Sequence, residues 1–388
     1  MNPRLRHALR EARGKARHHV GRAAAALVGA RADARPLDPA KISKVLLCRI
    51  NARMGNAVFL TPLLQRLHER LPWAAIDIAS AYPKADDLLG RLPGVRRVIR
   101  FPYKGVGLPW RYVAALGRVR RERYDLIIDP VPNSTSGRIV LILARARLRL
   151  GFAAADQWAP LTHAVSRPPA LVHQAMLPAV LLSRAFGWDD DLEEIRLWLP
   201  LSREELEAGR AAVARAIEAQ GGGGDVSRTV GFFAHATGLK TVAAAYWQAF
   251  WDAFLELEPA AIPVEILPTP TSTPTDARCA ALHMASPRAL TAAMAAMRLF
   301  VCADTGPLHL AGTTAVPTVG LFQASDPALY GPLKPTDLAL DVRQCSPREA
   351  ALRCQALWGR PAAGGARLDE APRMAVLSEH ACPPGGLR

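Results

Sequence analysis

The clearest chemistry lies in a short run late in the chain. An apolar stretch over 299–303 stops at an acid, Asp304. Thr305, Gly306 and Pro307 follow, and a helical pattern opens with His309 in its first turn. Thr305 suits the N-cap, and Pro307 suits the first helical turn, where its missing N–H would have no partner anyway. The unpaired N–H groups and the dipole of such a helix form an anion site. A strand ending in Asp304, then a phosphate-ready turn at Thr305 and Gly306, then an inward His309, points to a nucleotide-phosphate pocket.

The elements that must position this turn read as alternating strands and helices. The run 45–50 is continuously apolar, as in a strand buried on both faces. A helical pattern covers 54–71. Strands follow at 76–80, 95–101, 124–129 and 148–152, with helices between them. A helix over 173–186 precedes one that opens at Ser202 with a capping box to Glu205. That helix runs to about 220 and meets the glycines 221–224, which read as a helix stop and linker. The pattern then restarts with strands at 229–234, 264–267, 299–303 and 318–322. Strands alternating with helices mean a parallel, doubly wound α/β sheet. The reading is four segments: a basic extension over 1–41, a first domain over 42–220, a second over 225–345, and an irregular tail over 346–388. Two doubly wound domains put a cleft between the carboxyl ends of their sheets.

Composition narrows the classes. The chain has 388 residues, half of them hydrophobic, which suits two ordinary domains. No apolar run is long enough to cross a bilayer, and no signal-peptide core stands out, so the expected location is cytoplasmic. The six cysteines form no Cys-x-x-Cys pair and read as small buried hydrophobes rather than a disulfide or zinc framework. The net charge is +15, and the first 41 residues hold ten Lys and Arg against three acids. Such a head suits the anionic surface of a membrane's inner leaflet. No finger spacing or ladder of aromatics among basic residues marks a nucleic-acid binder.

Four segments in order resemble one family over about 42–335. They are Arg49-Ile-Asn51-Ala-Arg53-Met54-Gly55-Asn56; Tyr124-Asp-Leu-Ile-Ile-Asp129 with Arg149-Leu-Gly151-Phe152; His235-Ala-Thr237-Gly238-Leu-Lys240; and Asp304-Thr-Gly-Pro-Leu-His309 with Val316-Pro317 and Asp326-Pro327. Together they resemble glycosyltransferase family 9, the bacterial ADP-heptose:lipopolysaccharide heptosyltransferases. The resemblance implies a GT-B fold of two Rossmann-like domains facing a cleft. It implies inverting, metal-independent transfer with no cofactor beyond the donor, a nucleotide diphosphate sugar such as ADP-heptose. The second domain would hold the donor through Thr237, Lys240, Asp304, Thr305, Gly306 and His309. The first would hold a glycolipid acceptor, so peripheral docking on the inner membrane is expected.

The chain departs from the family pattern at two places. Where the family carries Gly-Asp, with the aspartate as its proposed base, this chain has Gly55-Asn56, and an amide does not accept a proton near neutral pH. Asp129 is the next carboxylate to suspect as base, with His163 and Asp156 on a loop beyond it. Where the family often carries a ribose-holding glutamate, this chain has Thr269-Pro-Thr-Ser-Thr273. Two alternatives therefore stand beside the transferase: a non-catalytic homologue that keeps the nucleotide-sugar pocket, and another GT-B enzyme such as a nucleotide-sugar epimerase.

Overall fold

The structure is a computed structural model that describes residues 35–102, 109–132, 134–153, 161–168, 172–189, 191 and 194–359. The first domain contains β1 (Lys44–Arg49), α1 (Met54–Val58), α2 (Thr61–Arg70), β2 (Ala75–Ser80), α3 (Ala85–Leu89), β3 (Val95–Arg100), α4 (Pro109–Arg120), β4 (Arg123–Asp129), α5 (Ser136–Leu143), β5 (Arg145–Phe152), β6 (His163–Val165) and α6 (Leu177–Phe186). The second contains α7 (Arg203–Ala219), β7 (Thr229–Phe233), α8 (Ala244–Leu257), β8 (Ile262–Ile266), β9 (Ala280–Leu282), α9 (Pro287–Ala295), β10 (Leu299–Ala303), α10 (Gly306–Ala311), β11 (Thr318–Phe322), α11 (Pro327–Tyr330), β12 (Leu338–Asp341) and α12 (Pro347–Trp358).

Each domain is built on a six-stranded sheet, ordered β3-β2-β1-β4-β5-β6 and β12-β11-β10-β7-β8-β9. Every pairing is parallel. The central strands carry the continuous apolar runs that a sheet covered on both faces demands: Val45 to Cys48 in β1 and all of β10 are buried. The two sheets share one wiring, with the order reversing between β1 and β4 and between β7 and β10. Those reversals are where doubly wound folds bind ligands, outside the carboxyl ends of the strands. Among the described residues, no helix is long and apolar enough to cross a membrane.

The helix expected over 54–71 is two helices, α1 and α2. Pro62 cannot donate to the carbonyl of Val58, and its ring crowds that carbonyl. The Thr61 hydroxyl donates to Val58 O instead, at 2.8 Å. The kink turns Met54 to Asn56 toward the second domain.

Two expected boundaries are corrected. Helix α7 belongs to the second domain, although the glycines 221–224 were read as the linker. Its buried residues Val213, Ala216 and Ile217 lie on the face that packs against α9 and the β8–β9 edge. Glu205 closes the predicted capping box with Ser202 and also takes a bidentate grip from the buried Arg288 of α9, at 2.6 Å to each oxygen. That pairing holds the Glu205 carboxyl down to about 2. Gly222 N donates back to Ile217 O at 3.0 Å, so the glycines make a turn inside the domain rather than a linker. The chain crosses between domains upstream, in the extended segment 195–202.

The tail also begins with structure. Residues 347–358, read as irregular, form α12, capped by Ser346. It packs on α8, with Trp358 edge-on to Phe254 at 6.1 Å and the Arg298 guanidinium 4.6 Å from the Trp358 ring centre. The segment 360–388 and the head 1–34 lie outside the described residues.

The α7–α9 contact is close enough to test. A Cβ on Gly209 would lie 2.4 Å from the backbone carbon of Ala292. Gly209→Val therefore has to push two helices apart. It should lower unfolding free energy by about 2 kcal/mol or more, seen as a clear drop in Tm. An unchanged Tm would show that α7 does not pack here.

Candidate active site

The cleft sits where the two topological reversals face each other. It has a volume of about 510 Å3. Arg53, Met54, Gly55, Asn56 and Phe59 line it from the β1–α1 turn, and Thr237, Lys240, Asp304, Thr305, Gly306, His309, Ser325 and Tyr330 line it from the second domain. Seven of the eight sequence-predicted site residues are thus brought together, the exception being Asp129.

On the second-domain side, Lys240 and Asp304 come from the loops after β7 and β10, the two strands at the reversal. Lys240 Nζ lies 2.6 Å from Asp304 Oδ2. Asp304 is buried, whereas the lysine side chain keeps 38% of its surface exposed. Lys240 Nζ is also 5.5 Å above the Tyr330 ring. Asp304 acts first as the anchor that aims this cation. Thr305 takes the N-cap position of α10, but its side chain does not cap. Its hydroxyl donates to Ala303 O at 3.1 Å, so the first amides of α10 receive no side-chain cap.

His309 points inward, as expected. It is buried against Phe59, ring centres 4.4 Å apart, and a Cβ on Gly55 would lie 2.6 Å from its Cδ2. Burial pushes its pKa down to about 3, against the opposing pull of Asp304. The ring is therefore neutral near pH 7 and offers a hydrogen bond rather than a charge. His173 is similarly neutral, pushed to about 4 by burial. Its Nε2 donates to Gly331 O at 2.9 Å, and its Nδ1 accepts from Ala175 N at 3.2 Å. Gly331 follows α11, so this bond ties the two domains together.

On the first-domain side, Asn56 is held by Arg49. Arg49 Nη2 donates to Asn56 Oδ1 at 2.8 Å, and its Nε donates to Asn56 O at 3.2 Å. A guanidinium only donates, so the amide oxygen must face it, and the NH2 group is the other end of the side chain. Asn56 is thus a donor where the family pattern has an acid. Burial lowers the Arg49 pKa to about 10, which leaves it charged near pH 7.

Asp129 does not line the cleft. It is buried beneath the start of α5, where a Cβ on Gly137 would lie 2.7 Å from its carboxyl group. Its Oδ2 is 3.4 Å from Arg138 Nε, and its Oδ1 accepts from Val131 N at 3.3 Å. Burial raises its pKa to about 6, with Arg138 opposing. The chain after β4 folds α5 back over the strand end, so the carboxylate is walled off. Among the residues lining the cleft, Asp304 is the only carboxylate, and Lys240 occupies it. His163 is buried in β6, with Nδ1 3.0 Å from Thr162 Oγ1, and Asp156 lies outside the described residues.

His235 turns away from the cleft toward Glu265, with Nε2 3.1 Å from Oε1. Glu265 is fully buried in β8 and accepts from Thr275 N at 2.6 Å and Thr275 Oγ1 at 2.9 Å. The threonine-rich loop is therefore pinned at its far end by a strand glutamate. Sequence reasoning passed over Glu265, whose signal was a lone acid inside an apolar strand. It also missed Phe59, Ser325 and Tyr330 as lining residues, and it gave Arg53 no role. Arg53 has no acidic partner among the described residues.

Two parallel doubly wound sheets whose carboxyl ends oppose each other across such a cleft define the GT-B fold. Residues 284–355 match the profile of glycosyltransferase family 9 (heptosyltransferase). No curated protein sequence matches the chain. Among solved structures, the chain is similar to a family 9 glycosyl transferase from Veillonella parvula (18% identity, TM-score 0.66), with 82% of this chain and 98% of that one covered. It is also similar to the E. coli ADP-heptose LPS heptosyltransferase II (18%, TM-score 0.61, 81% and 98% covered) and to an E. coli heptosyltransferase solved with ADP (15%, TM-score 0.62, 81% and 99% covered). The chain thus matches the family 9 profile over 284–355 and shares the GT-B fold of these heptosyltransferase structures.

The two buried histidines set a pH dependence. A base whose pKa is depressed in the folded chain stays neutral while the unfolded chain takes up a proton near its ordinary value. Stability is then full above about pH 6.5 and is lost as pH falls toward the folded values of about 4 and 3. Each group should remove about 2 kcal/mol between about pH 7 and pH 5. Urea unfolding at both pH values should show the fall, and His309→Gln should flatten it by about half. An equal fall in that variant would mean that His309 is not buried as a neutral ring.

Proposed function

We propose that the protein moves a sugar, heptose first among the candidates, from a nucleotide diphosphate to a hydroxyl of a lipopolysaccharide-core or related glycolipid acceptor. The observation that carries the reading is the Lys240–Asp304 pair, set at the strand reversal beside the uncapped start of α10. A leaving diphosphate needs its charge balanced, and a lysine aimed by a buried carboxylate next to backbone amides supplies that. Solved relatives hold ADP and ADP-2-deoxy-2-fluoro heptose, which supports an adenine nucleotide as donor.

In this reading the donor lies along the second domain with its anomeric carbon toward Asn56. The acceptor hydroxyl attacks that carbon from the first-domain side, opposite the diphosphate. The new carbon–oxygen bond forms as the bond to the diphosphate breaks, and the sugar inverts. The acceptor proton passes to water or to the departing diphosphate, since Asn56 donates rather than accepts. Lys240, the amides at Thr305 and Gly306, and the neutral His309 ring stabilise the leaving group without a resident metal. We place the reaction at the cytoplasmic face of the inner membrane, with the basic head adding electrostatic attraction.

One observation favours a second reading, a nucleotide-sugar binder without turnover. Arg49 holds the residue at the family's base position as a donor.

Calorimetric titration with ADP-, UDP-, GDP- and CDP-sugars tests the donor assignment. One nucleotide class should saturate the wild-type protein, and Lys240→Ala should weaken it by about tenfold to a hundredfold, the value of a hydrogen bond to a charged group. Wild-type affinity in that variant would remove the donor pocket from this cleft. Asn56→Asp separates the two readings. A rise in sugar transfer, with donor affinity unchanged, marks the wild-type chain as a binder that lacks its base. Transfer by the wild-type chain that does not rise marks a transferase that works without a carboxylate at this position.

A further inference from the structure

Helix α4 carries apolar residues on both its inward and its outward face. Tyr112, Ala115 and Val119 point inward, and Ala115 and Val119 are buried while Tyr112 packs edge-on to Phe101 at 5.1 Å. The outward face carries Trp110, Val113, Ala114 and Gly117 at helical spacing, all exposed. Trp110 keeps 62% and Val113 66% of its surface exposed. A tryptophan and a valine side by side in water need a reason.

Charge around the stripe supplies one. Arg111, Arg118 and Arg121 flank it, and none of them has an acidic partner among the described residues. Arg123 and Arg145, which begin β4 and β5 and pair in register, extend the positive field. Glu122, next in the chain to Arg121, is already engaged by Lys44, Arg96 and Arg97, and Asp125 of β4 accepts from Ser43 and Lys44. An exposed apolar stripe with an arginine rim complements an anionic phospholipid surface: the tryptophan seats at the headgroup level while the guanidinium groups meet phosphates. Nucleic acid would use the arginines but leave the valine and the small residues without a partner.

The topology puts this stripe where a lipid-linked substrate would need it. Helix α4 is the crossover between β3 and the parallel β4, so it runs opposite to the strands. Trp110 therefore lies toward the carboxyl ends of the sheet, the side on which the cleft opens, and the arginines at 118–121 lie toward the amino ends.

We propose that the outward face of α4 is a membrane-docking surface that lays the first domain on an anionic bilayer with the cleft at the lipid edge. This goes beyond the transfer reaction and is tested without donor or acceptor. The probe is a vesicle of phosphatidylethanolamine and phosphatidylglycerol, with neutral phosphatidylcholine vesicles as comparison. The five cysteines among the described residues are buried. In a full-length Cys382→Ser background, a polarity-sensitive fluorophore is placed at Val113→Cys or, on the exposed face of α12, at Leu352→Cys. The expected result is a blue shift and brightening at position 113 alone, on anionic vesicles alone. Trp110→Ser in the Val113→Cys labelled protein should abolish that immersion. Arg118→Ala with Arg121→Ala should lower vesicle partition about thirtyfold, since each arginine near the surface contributes about 1 kcal/mol. Nucleotide titration of each variant should match wild type, which separates lost docking from lost folding. Binding through the head alone, with no change at position 113, would overturn the proposal. So would equal binding to neutral vesicles, or burial of position 113 by self-association of the protein without lipid.

Discussion

The cleft depends on how closely α1 and α10 approach each other. No side chain stands between them at two points: Gly55 lies under the His309 ring, and Gly306 lies against Met54, where a Cβ would sit 2.9 Å from the methionine Cβ. Phe59 then closes over His309, and the His173–Gly331 bond fixes the flank. Because these contacts join helices that begin at the strand reversals, they bring two separate anion- and hydroxyl-facing turns into one cavity. A larger residue at either glycine would move one domain relative to the other. The cost would then appear as misplacement of Lys240 relative to Asn56, rather than as loss of either Rossmann-like unit.

The same proximity explains the protonation states. Packing two domain faces together without water removes hydration from His309 and His173, and both become neutral rings. Lys240 is placed differently: its side chain reaches toward the cleft mouth while its carboxylate partner stays buried. The site therefore divides the work: Lys240 and Arg53 put cations at the mouth, with neutral donors within. Such a division suits a ligand whose charge lies at one end and whose hydroxyl-rich portion lies further in.

Much of this was legible in the sequence. The buried strands announced themselves as unbroken apolar runs, and the turn at Asp304 to His309 was readable because Asp, Thr, Gly and Pro each have a positional preference there. What was not legible has physical reasons. The strands β6, β9 and β12 are edges three or four residues long, too short to show a period. Helix α7 looked like the end of the first domain because a glycine run follows it. Its partner was decided by a tertiary contact, Gly209 on the Ala292 backbone, which no local pattern encodes. The charge of His309 depends on burial by Phe59, 250 residues away in the chain. Asp129 had the right position at a strand end, but the return of α5 over that end excluded it.

Asn56 shows how one neutral atom group changes a site's electrostatics. Arg49 lies between Asn56 and Asp129, and Asp129 also answers Arg138. An aspartate at position 56 would give each guanidinium its own carboxylate. With an amide there, two guanidinium groups share one carboxylate, and burial raises that carboxylate's pKa to about 6, which weakens its negative charge at mildly acidic pH. The first-domain wall of the cleft is therefore more positive than an acid at position 56 would make it, and Arg53 adds to that charge. The residue that removes the obvious base also makes this wall more favourable to an anionic group. Loss of proton acceptance and gain of anion affinity thus follow from the same exchange of oxygen for nitrogen.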